Sequence, residues 1–389
     1  MSTNLSPEAK KAEQEYHNAN TLEEKIEKLE RYIALIPKHK ATEKMVARLK
    51  STLVKHKNDL VDRKERQKLL VKGPAWIIAK EGDAQIALVG IANSGKSLIV
   101  KNLTGANTKV ADYPFATEKP EPGVLDYGGA IIQLIDLPSI FPNIRLESKN
   151  GPKLFSQIRG ADLLLLVIDL SQNPKDQMEI LLKELNEGDL RVNKERPPIE
   201  IKKTGSGGTL IFGEEKINVT KKEVIEILNE QNLYNVHVKI NKQITLADLV
   251  EALDTSIIYC KGLIVANKGD LPGSKENFDN LVSLYADKFD IVPISALKGE
   301  GLELLKDKIF EKLNLMRIRS KEPNGKVATK PIVLKNGATV GDVAKIIHSR
   351  FFEYFKQAKI YGPSAKFEGQ SVGINHVLKD GDIVEIFAD

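Results

Sequence analysis

Cysteine is almost absent from this chain: Cys260 stands alone among 389 residues. One thiol cannot close an internal disulfide, which suits a reducing compartment and sets the expectation of a cytoplasmic protein. Long apolar runs are missing too. The longest, LLLLVI at 163–168, is far shorter than the roughly 20 residues that a membrane helix needs. The opening MSTNLSPEAKKAEQEYHNAN has no apolar core of a secretion signal, so no membrane association is expected. His39, His56, His237, His348 and His376 are scattered and make no metal-like cluster. Tryptophan occurs once, as Trp76 in the joint KGPAW, and reads as a packing anchor. No repeat or low-complexity tract stands out.

What is present is a chain with 41% apolar and 29% charged residues, long enough for two to four domains. Its net charge of +5 is unevenly spread. Between Lys38 and Lys72 there are 12 Lys/Arg against 4 Asp/Glu, a local +8 that leaves the remainder slightly acidic. Such a stripe either meets phosphate backbones or is a solvated helix face, and charge alone favours the second.

Periodicity divides the chain. Leu22, Ile26, Leu29, Ile33 and Ile36 recur at helical spacing after a Thr21–Glu24 capping box, and Pro37 stops that helix. Met45, Leu49 and Leu53 mark a second helix, so residues 1–72 read as a basic helical hairpin region. From residue 84 apolar strand-like runs at 86–89, 131–135, 163–169, 262–266 and 291–294 alternate with helical segments, which predicts an α/β domain with a mostly parallel sheet over 73–171 and 256–313. The 92 residues between Asp169 and Gly262 far exceed the roughly 30 of a strand–helix–strand unit. The excess, 172–255, reads as an inserted small α+β domain. In it PIEIKKTGSGGTLIF predicts a hairpin around a Gly/Ser turn, followed by a helix and the strand NVHVKI. Residues 314–389 read as a compact sheet-plus-helix domain.

The stretch ALVGIANSGKSLIVKNL carries the chemistry. Gly90, Gly95, Lys96 and Ser97 fit G-x-x-x-x-G-K-[ST] between a strand and a helix. Glycines let the backbone curl so that successive N–H groups face a phosphate chain, and the helix adds its N-terminal amides. Residues Gly90, Ile91, Ala92, Asn93, Ser94, Gly95, Lys96, Ser97 and Leu98 are therefore the predicted nucleotide-binding stretch. Lys96 is placed to reach the β- and γ-phosphates, and Ser97 to put its hydroxyl on Mg²⁺. The base is indicated by IVANKGD: Asn267, Lys268 and Asp270 fit N-K-x-D just past a strand. A carboxylate accepts two hydrogen bonds from guanine N1–H and its 2-amino group, which adenine cannot supply. Lys268 is placed along the base, Asn267 ties this loop to the phosphate loop, and Ser295, Ala296 and Leu297 of ISALKG close around the guanine oxygen, with the Ala296 amide as its donor. Asp136 ends the strand IIQLID and is the second candidate Mg²⁺ residue. Thr117, in the loop ADYPFATEKPEPG, is the candidate sensor of γ-phosphate and Mg²⁺.

These motifs, with KHKATEKMVARLKSTLVKHKNDL, VADYPFATEKPEPGVLDYGGAIIQLIDLPSI, LNEGDLRVNKERPPIEIKKTGSGGTLIF and the tail beginning PIVLKNGATVGDVAKIIHSRF, resemble GTPases of the Obg superfamily. The resemblance is to the DRG (developmentally regulated GTP-binding protein) branch of archaea and eukaryotes and covers nearly the whole length. It implies a Ras-like P-loop GTPase domain interrupted by an insert, an N-terminal helical region and a C-terminal TGS domain of ubiquitin-like β-grasp form. It also implies GTP/GDP and Mg²⁺ as cofactors, and a translation-related partnership with ribosome or RNA through the basic hairpin and the TGS domain. A regulatory protein partner is also open, and no DNA partner is expected. Several relatives use K⁺ between the phosphates, held partly by Asn at the position of Asn93, so the resemblance adds Asn93 to Lys96 and Thr117 as a candidate catalytic residue.

Two departures matter. The fourth position of D-x-x-G is Ser139, and Ile140 follows where many GTPases carry a water-orienting Gln. Two functions stay open on these grounds: a GTPase switch hydrolysing GTP to GDP and phosphate, and a guanine-nucleotide-binding adaptor with negligible intrinsic hydrolysis.

Overall fold

The computed structural model describes residues 7–17, 19, 22–37, 42, 45, 46, 49, 50, 52, 53, 77–105, 119–231, 233–322 and 324–388. Thr21 of the expected capping box, most of the basic 38–72 segment, Trp76 and Thr117 lie outside them. Two compact units separate at Met1–Ala75 and Trp76–Asp389. Among the described residues no helix is long and apolar enough to cross a membrane.

In the first unit, α1 (Pro7–His17) packs on α2 (Leu22–Leu35). Leu29, Tyr32 and Ile36 are buried against Ala9 and Ala12, and Met45, Leu49 and Leu53 pack on the same cluster. The expected hairpin thus has a further helix before it. Helix α1 buries two alanines rather than large apolar residues, so its period is faint in the sequence although its backbone approaches α2 closely.

The second unit opens with β1 (Ala84–Gly90), buried throughout, and α3 (Lys96–Thr104). Then come β2 (Glu121–Tyr127), β3 (Ala130–Asp136), α4 (Ile144–Glu147), α5 (Gly151–Gly160), β4 (Leu163–Asp169), α6 (Pro174–Glu187) and the short β5 (Leu190–Val192). The chain leaves this sheet for β6 (Ile199–Lys203), β7 (Thr209–Phe212), α7 (Lys221–Glu230), β8 (Val236–Ile240) and α8 (Leu246–Leu253). It returns with β9 (Ile258–Asn267), α9 (Ser274–Tyr285), β10 (Ile291–Pro293) and α10 (Leu302–Leu313).

The large sheet runs β10-β9-β4-β1-β3-β2, with β5 also on β9 and only β2 antiparallel. Both its faces are covered. Ile86, Leu88, Leu165 and Val167 point into one core, while Ala87, Val89, Leu164 and Leu166 point into the other. A parallel strand covered on both sides needs continuous apolar sequence, which is why LLLLVI is a strand and not a helix. The register pairs Leu88 with Asp136, Gly90 with Val167 and Asp169 with Asn267. The carboxyl ends of four strands therefore finish at one edge, on either side of β1, where ligands of open α/β sheets bind.

The predicted hairpin in the insert does not form. Strand β8 lies between β6 and β7, antiparallel to the first and parallel to the second. The burial of Val236, Val238 and Ile240 gives β8 the most apolar alternation of the three, so it takes the centre. The Gly-rich loop 204–208 then spans two strand spacings, about 9.5 Å, instead of a tight turn. Asn235 anchors it, accepting Thr204 N–H on its carbonyl and Gly208 N–H on Oδ1.

A five-stranded sheet closes the chain in the order β12-β11-β15-β13-β14, from β11 (Leu315–Ser320), β12 (Ile332–Lys335), β13 (Phe355–Tyr361), β14 (Gln370–Val372) and β15 (Ile383–Ala388). Helices α11 (Val340–Ile347) and α12 (Ser349–Glu353) accompany it, and Val340, Val343 and Ala344 of α11 share a core with Met316, Ile318, Ile360 and Val384. This is the β-grasp arrangement. Arg317 joins this domain to the large sheet. Its guanidinium lies 4.6 Å from the Phe310 ring centre and 5.7 Å from that of Tyr127, and it grips Asp380 through Nε and Nη2 at 3.2 and 2.8 Å. The β2–β3 turn is glycine at 128 and 129, both at positive φ, because a side chain there would strike Arg317 and Pro331. Replacing Arg317→Ala is expected to cost about 2 kcal/mol, the sum of two ring contacts and one partly exposed ion pair. The urea midpoint of the whole chain measures it, and an unchanged midpoint would show that the contact is idle.

Candidate functional site

The phosphate loop is a strained curl. Asn93 has φ 60° and Gly95 φ 92°, both left-handed, and Gly95 caps α3 without a side chain. The cap residue thus offers nothing to the first-turn amides of α3, which leaves that end suited to an anion. Gly90 is held bare as well: a Cβ there would lie 2.7 Å from Ser94 Oγ and from the Val167 carbonyl. A Cβ on Gly95 would overlap the Asn267 carboxamide.

Lys96 is buried and folds back over the loop. Its Nζ donates to the carbonyls of Gly90 (3.1 Å) and Ile91 (3.0 Å) and to Ser139 Oγ (3.2 Å), all neutral oxygens. Burial lowers its pKa from 10.5 to about 8, against a smaller upward pull from Asp136. An ammonium desolvated among carbonyls is poised for an anion that would restore its charge. Beside it, Ser97 Oγ donates to Asp136 Oδ2 at 2.5 Å, and Asp136 is fully buried. These two oxygens match a hard divalent cation. Among the described residues no cluster of three His, Cys, Asp or Glu exists. A metal here would therefore draw most of its ligands from phosphate and water, the usual arrangement for Mg²⁺.

Asn267 stitches three loops together. Its Nδ2 donates to the Ser94 carbonyl (2.9 Å) and its Oδ1 accepts Ala296 N–H (3.0 Å), both buried. This corrects one expectation: the Ala296 amide is already engaged, and its carbonyl accepts from Asn102 Nδ2 at 2.5 Å. Among the described residues Leu297 N–H has no protein acceptor, and the Leu297 side chain is 78% exposed. Lys268 sits at φ 65° with Nζ 2.6 Å from Asp169 Oδ2. The Ser295 hydroxyl beside Asp270 holds that carboxyl below its ordinary range.

Asp169 was not foreseen. It is fully buried at the end of β4, accepts Ser171 N–H and Oγ–H on Oδ1, and accepts from Lys268 Nζ on Oδ2. The visible signal was a carboxylate closing an otherwise apolar run, LLLLVID. Asn102 was missed as well, because its partner lies 194 residues away. Ile140 proves to be a core residue. It is 2% exposed among Leu137, Ile144, Leu154 and Phe155, and its N–H donates to the Gly90 carbonyl at 3.0 Å. Thr117 lies outside the described residues.

Three profile matches cover this unit: a 50S ribosome-binding GTPase over 85–201, the C-terminal region of that domain over 206–315, and a TGS domain over 318–388. An uncharacterized GTP-binding protein of Methanocaldococcus jannaschii is 35% identical over 94% of this chain and 92% of its own. The developmentally-regulated GTP-binding protein 1 homolog of Dictyostelium discoideum is 33% identical over 94% and 99%. The chain belongs to the developmentally-regulated GTP-binding protein family. Ribosome-interacting GTPase 1 of Saccharomyces cerevisiae is a further relative, 31% identical over 94% and 99%. Among solved structures, a GTP-binding protein from Pyrococcus horikoshii OT3 aligns with TM-score 0.46 and 19% identity over 78% of this chain and 100% of that one. Members of this family are GTP-binding P-loop GTPases, and the curl, the buried lysine and the Ser97–Asp136 pair suit a nucleotide triphosphate with Mg²⁺.

Lys96 carries a stability penalty with a definite pH window. Its folded pKa lies below its free value, so the penalty is full below about pH 8 and is relieved as pH rises toward 10.5. Lys96→Met is expected to abolish nucleotide binding yet stabilise the nucleotide-free protein at pH 7 by roughly 3 kcal/mol or less, a shift of about 2.5 pH units at about 1.4 kcal/mol each, less the cost of the loop carbonyls left without their donor. Urea denaturation of both proteins from pH 7 to 10.5 tests this, and a stability gap that fails to narrow would refute it.

Proposed function

We propose that this protein is a Mg²⁺-dependent GTPase switch acting with the ribosome or its RNA. The observation that carries the reading is the Asn267 bridge, which holds the phosphate loop and the base-reading loop at one fixed separation. In this assignment the amides of Gly90–Leu98 take the phosphates, Lys96 leaves its loop carbonyls for the β- and γ-oxygens, and Ser97 and Asp136 hold Mg²⁺ directly or through water. Held there, Mg²⁺ would supply charge neutralisation to the phosphates. Asp270 reads guanine N1–H and the 2-amino group. The guanine oxygen is assigned to the Leu297 amide, because that of Ala296 is taken by Asn267 Oδ1. Thr117 is assigned the γ-phosphate, and Asn93 a K⁺ ion that stands in for the missing Gln. The left-handed turn at Asn93 also accounts for that residue without any ion.

A second reading, the adaptor that binds GTP but barely hydrolyses it, is favoured by Ile140. Its side chain is in the core, so the position after Ser139 supplies no group to orient water. The ribosomal association is supported by the matched profile description and by the name of the yeast relative. A cytoplasmic location is assigned with that association, and K⁺ use rests on Asn93 alone.

Single-turnover GTP hydrolysis in KCl and in NaCl separates the readings. The switch predicts turnover that is faster in KCl. Equal rates would remove Asn93 from catalysis, and no turnover in either salt, with or without ribosomes, would leave the adaptor. Base recognition is tested apart from chemistry: Asp270→Asn is expected to weaken GTP binding at least about tenfold, equal to about 1.4 kcal/mol, and to favour xanthosine triphosphate. Calorimetry that finds unchanged GTP preference would exclude Asp270 as the base reader.

A further inference from the structure

The insert has two unlike faces. Helices α7 and α8 cover one side of its sheet, where Val236, Val238, Ile240 and Ile211 form the core. The register places the opposite side in two cross-strand rows, Glu200–Lys239–Phe212 and Lys202–His237–Leu210. Among the described residues nothing covers Phe212 and Leu210, which are 53% and 45% exposed. The Phe212 and His237 rings meet edge to face, centres 6.2 Å apart at 82°. A solvated sheet face ordinarily carries polar side chains. Here a ring pair and a leucine stand among lysines.

Charge is segregated in the same direction. On the open face the register places Lys202 and Lys239 against Glu200, while Lys203, opposite Val236, alternates to the helix side. Helices α7 and α8 hold Glu223, Glu226, Glu230, Asp248 and Glu251 against Lys221 and Lys222. Glu200 partly offsets Lys239 at 3.8 Å, but it also accepts from Asn241 at 2.8 Å, and an exposed pair at that distance is weak. At the end of the sheet, among the described residues nothing lies within 4 Å of a Cβ added to Gly205, Gly207 or Gly208, so the loop backbone leaves room for close approach, with Gly208 N–H itself held by Asn235 Oδ1.

We propose that this open sheet face binds single-stranded RNA, with unpaired bases stacking on Phe212 and His237 and the backbone following Lys202 and Lys239. An exposed phenylalanine ring beside a half-buried imidazole, flanked by cations, suits unstacked bases, whereas duplex RNA hides its base faces. A protein interface core is depleted of charged residues, whereas this face carries Lys202, Lys239 and Glu200 around its ring pair. The proposal rests on the ribosome or RNA reading above and assigns it a surface separate from the nucleotide site.

The test uses the full chain and a single-stranded 12-nucleotide RNA carrying 4-thiouridine, with the same sequence as a duplex in a parallel arm. Irradiation, digestion and mass spectrometry map the adducts. The expected result is labelling within 209–213 and 235–239 by the single strand and little by the duplex. Phe212→Ser should lower it about tenfold, and Phe212→Tyr, which keeps a ring, should restore it. Unchanged GTP binding shows that the variants are folded. Adducts confined to other segments would overturn the surface while leaving RNA binding intact, and failure to bind any RNA would overturn both. Lysine cross-linking on ribosomes that joins Lys202 or Lys239 to ribosomal protein, with free RNA unlabelled at this face, would assign it to a protein and overturn the proposal.

Discussion

One buried carboxamide, Asn267, holds the nucleotide site in shape. It accepts from the Ala296 amide and donates to the Ser94 carbonyl, so three loops from distant parts of the sequence share a side chain that water cannot reach. A buried hydrogen bond cannot be given up without leaving its partners unpaired, which makes the spacing stiff. That stiffness also limits the phosphate loop: the carboxamide occupies the space a Gly95 side chain would need. The glycine is required twice, once by its left-handed φ and once by Asn267.

Around this rigid centre the protein keeps a charge that it does not need for folding. Lys96 is desolvated and rests on neutral oxygens, a position that costs stability until an anion arrives. Lys268 is treated differently: it lies against the buried carboxylate of Asp169 and is positioned by an ion pair. Two lysines in one site thus differ in what neutralises them. The one proposed for phosphate is left with polar but uncharged partners, and the one proposed for the base is tied down.

The remaining domains are hung on the same frame at defined joints. The insert leaves after β5 and re-enters at β9, whose far end carries Asn267, so its base is part of the strand that supports the site. The β-grasp domain continues from α10, and Arg317 closes it against the β2–β3 turn by stacking on Tyr127 and Phe310. Strand β3 of that hairpin ends in Asp136. The nucleotide-facing edge and the domain joint are therefore two ends of one stiff hairpin.

Much of this was legible from residues in order. A phosphate loop is a local backbone event, and its glycines, lysine and serine are contiguous, so spacing alone identified it. Continuous apolar runs marked the parallel strands because both sheet faces are covered. What depended on long-range contact was hidden. Asp169 and Asn102 act on partners 99 and 194 residues away, and the Ala296 amide was lost to a side chain that no local pattern assigns to it. Ile140 read as an apolar residue where many GTPases carry Gln, and only the fold showed that it belongs to the core. The order of the insert's sheet was likewise decided by burial: TGSGG permits a hairpin turn, but β8 is more apolar on alternate positions and displaced the neighbour in sequence. Local chemistry was written in the chain, while the competition among segments for the same buried space was settled only when the whole fold closed.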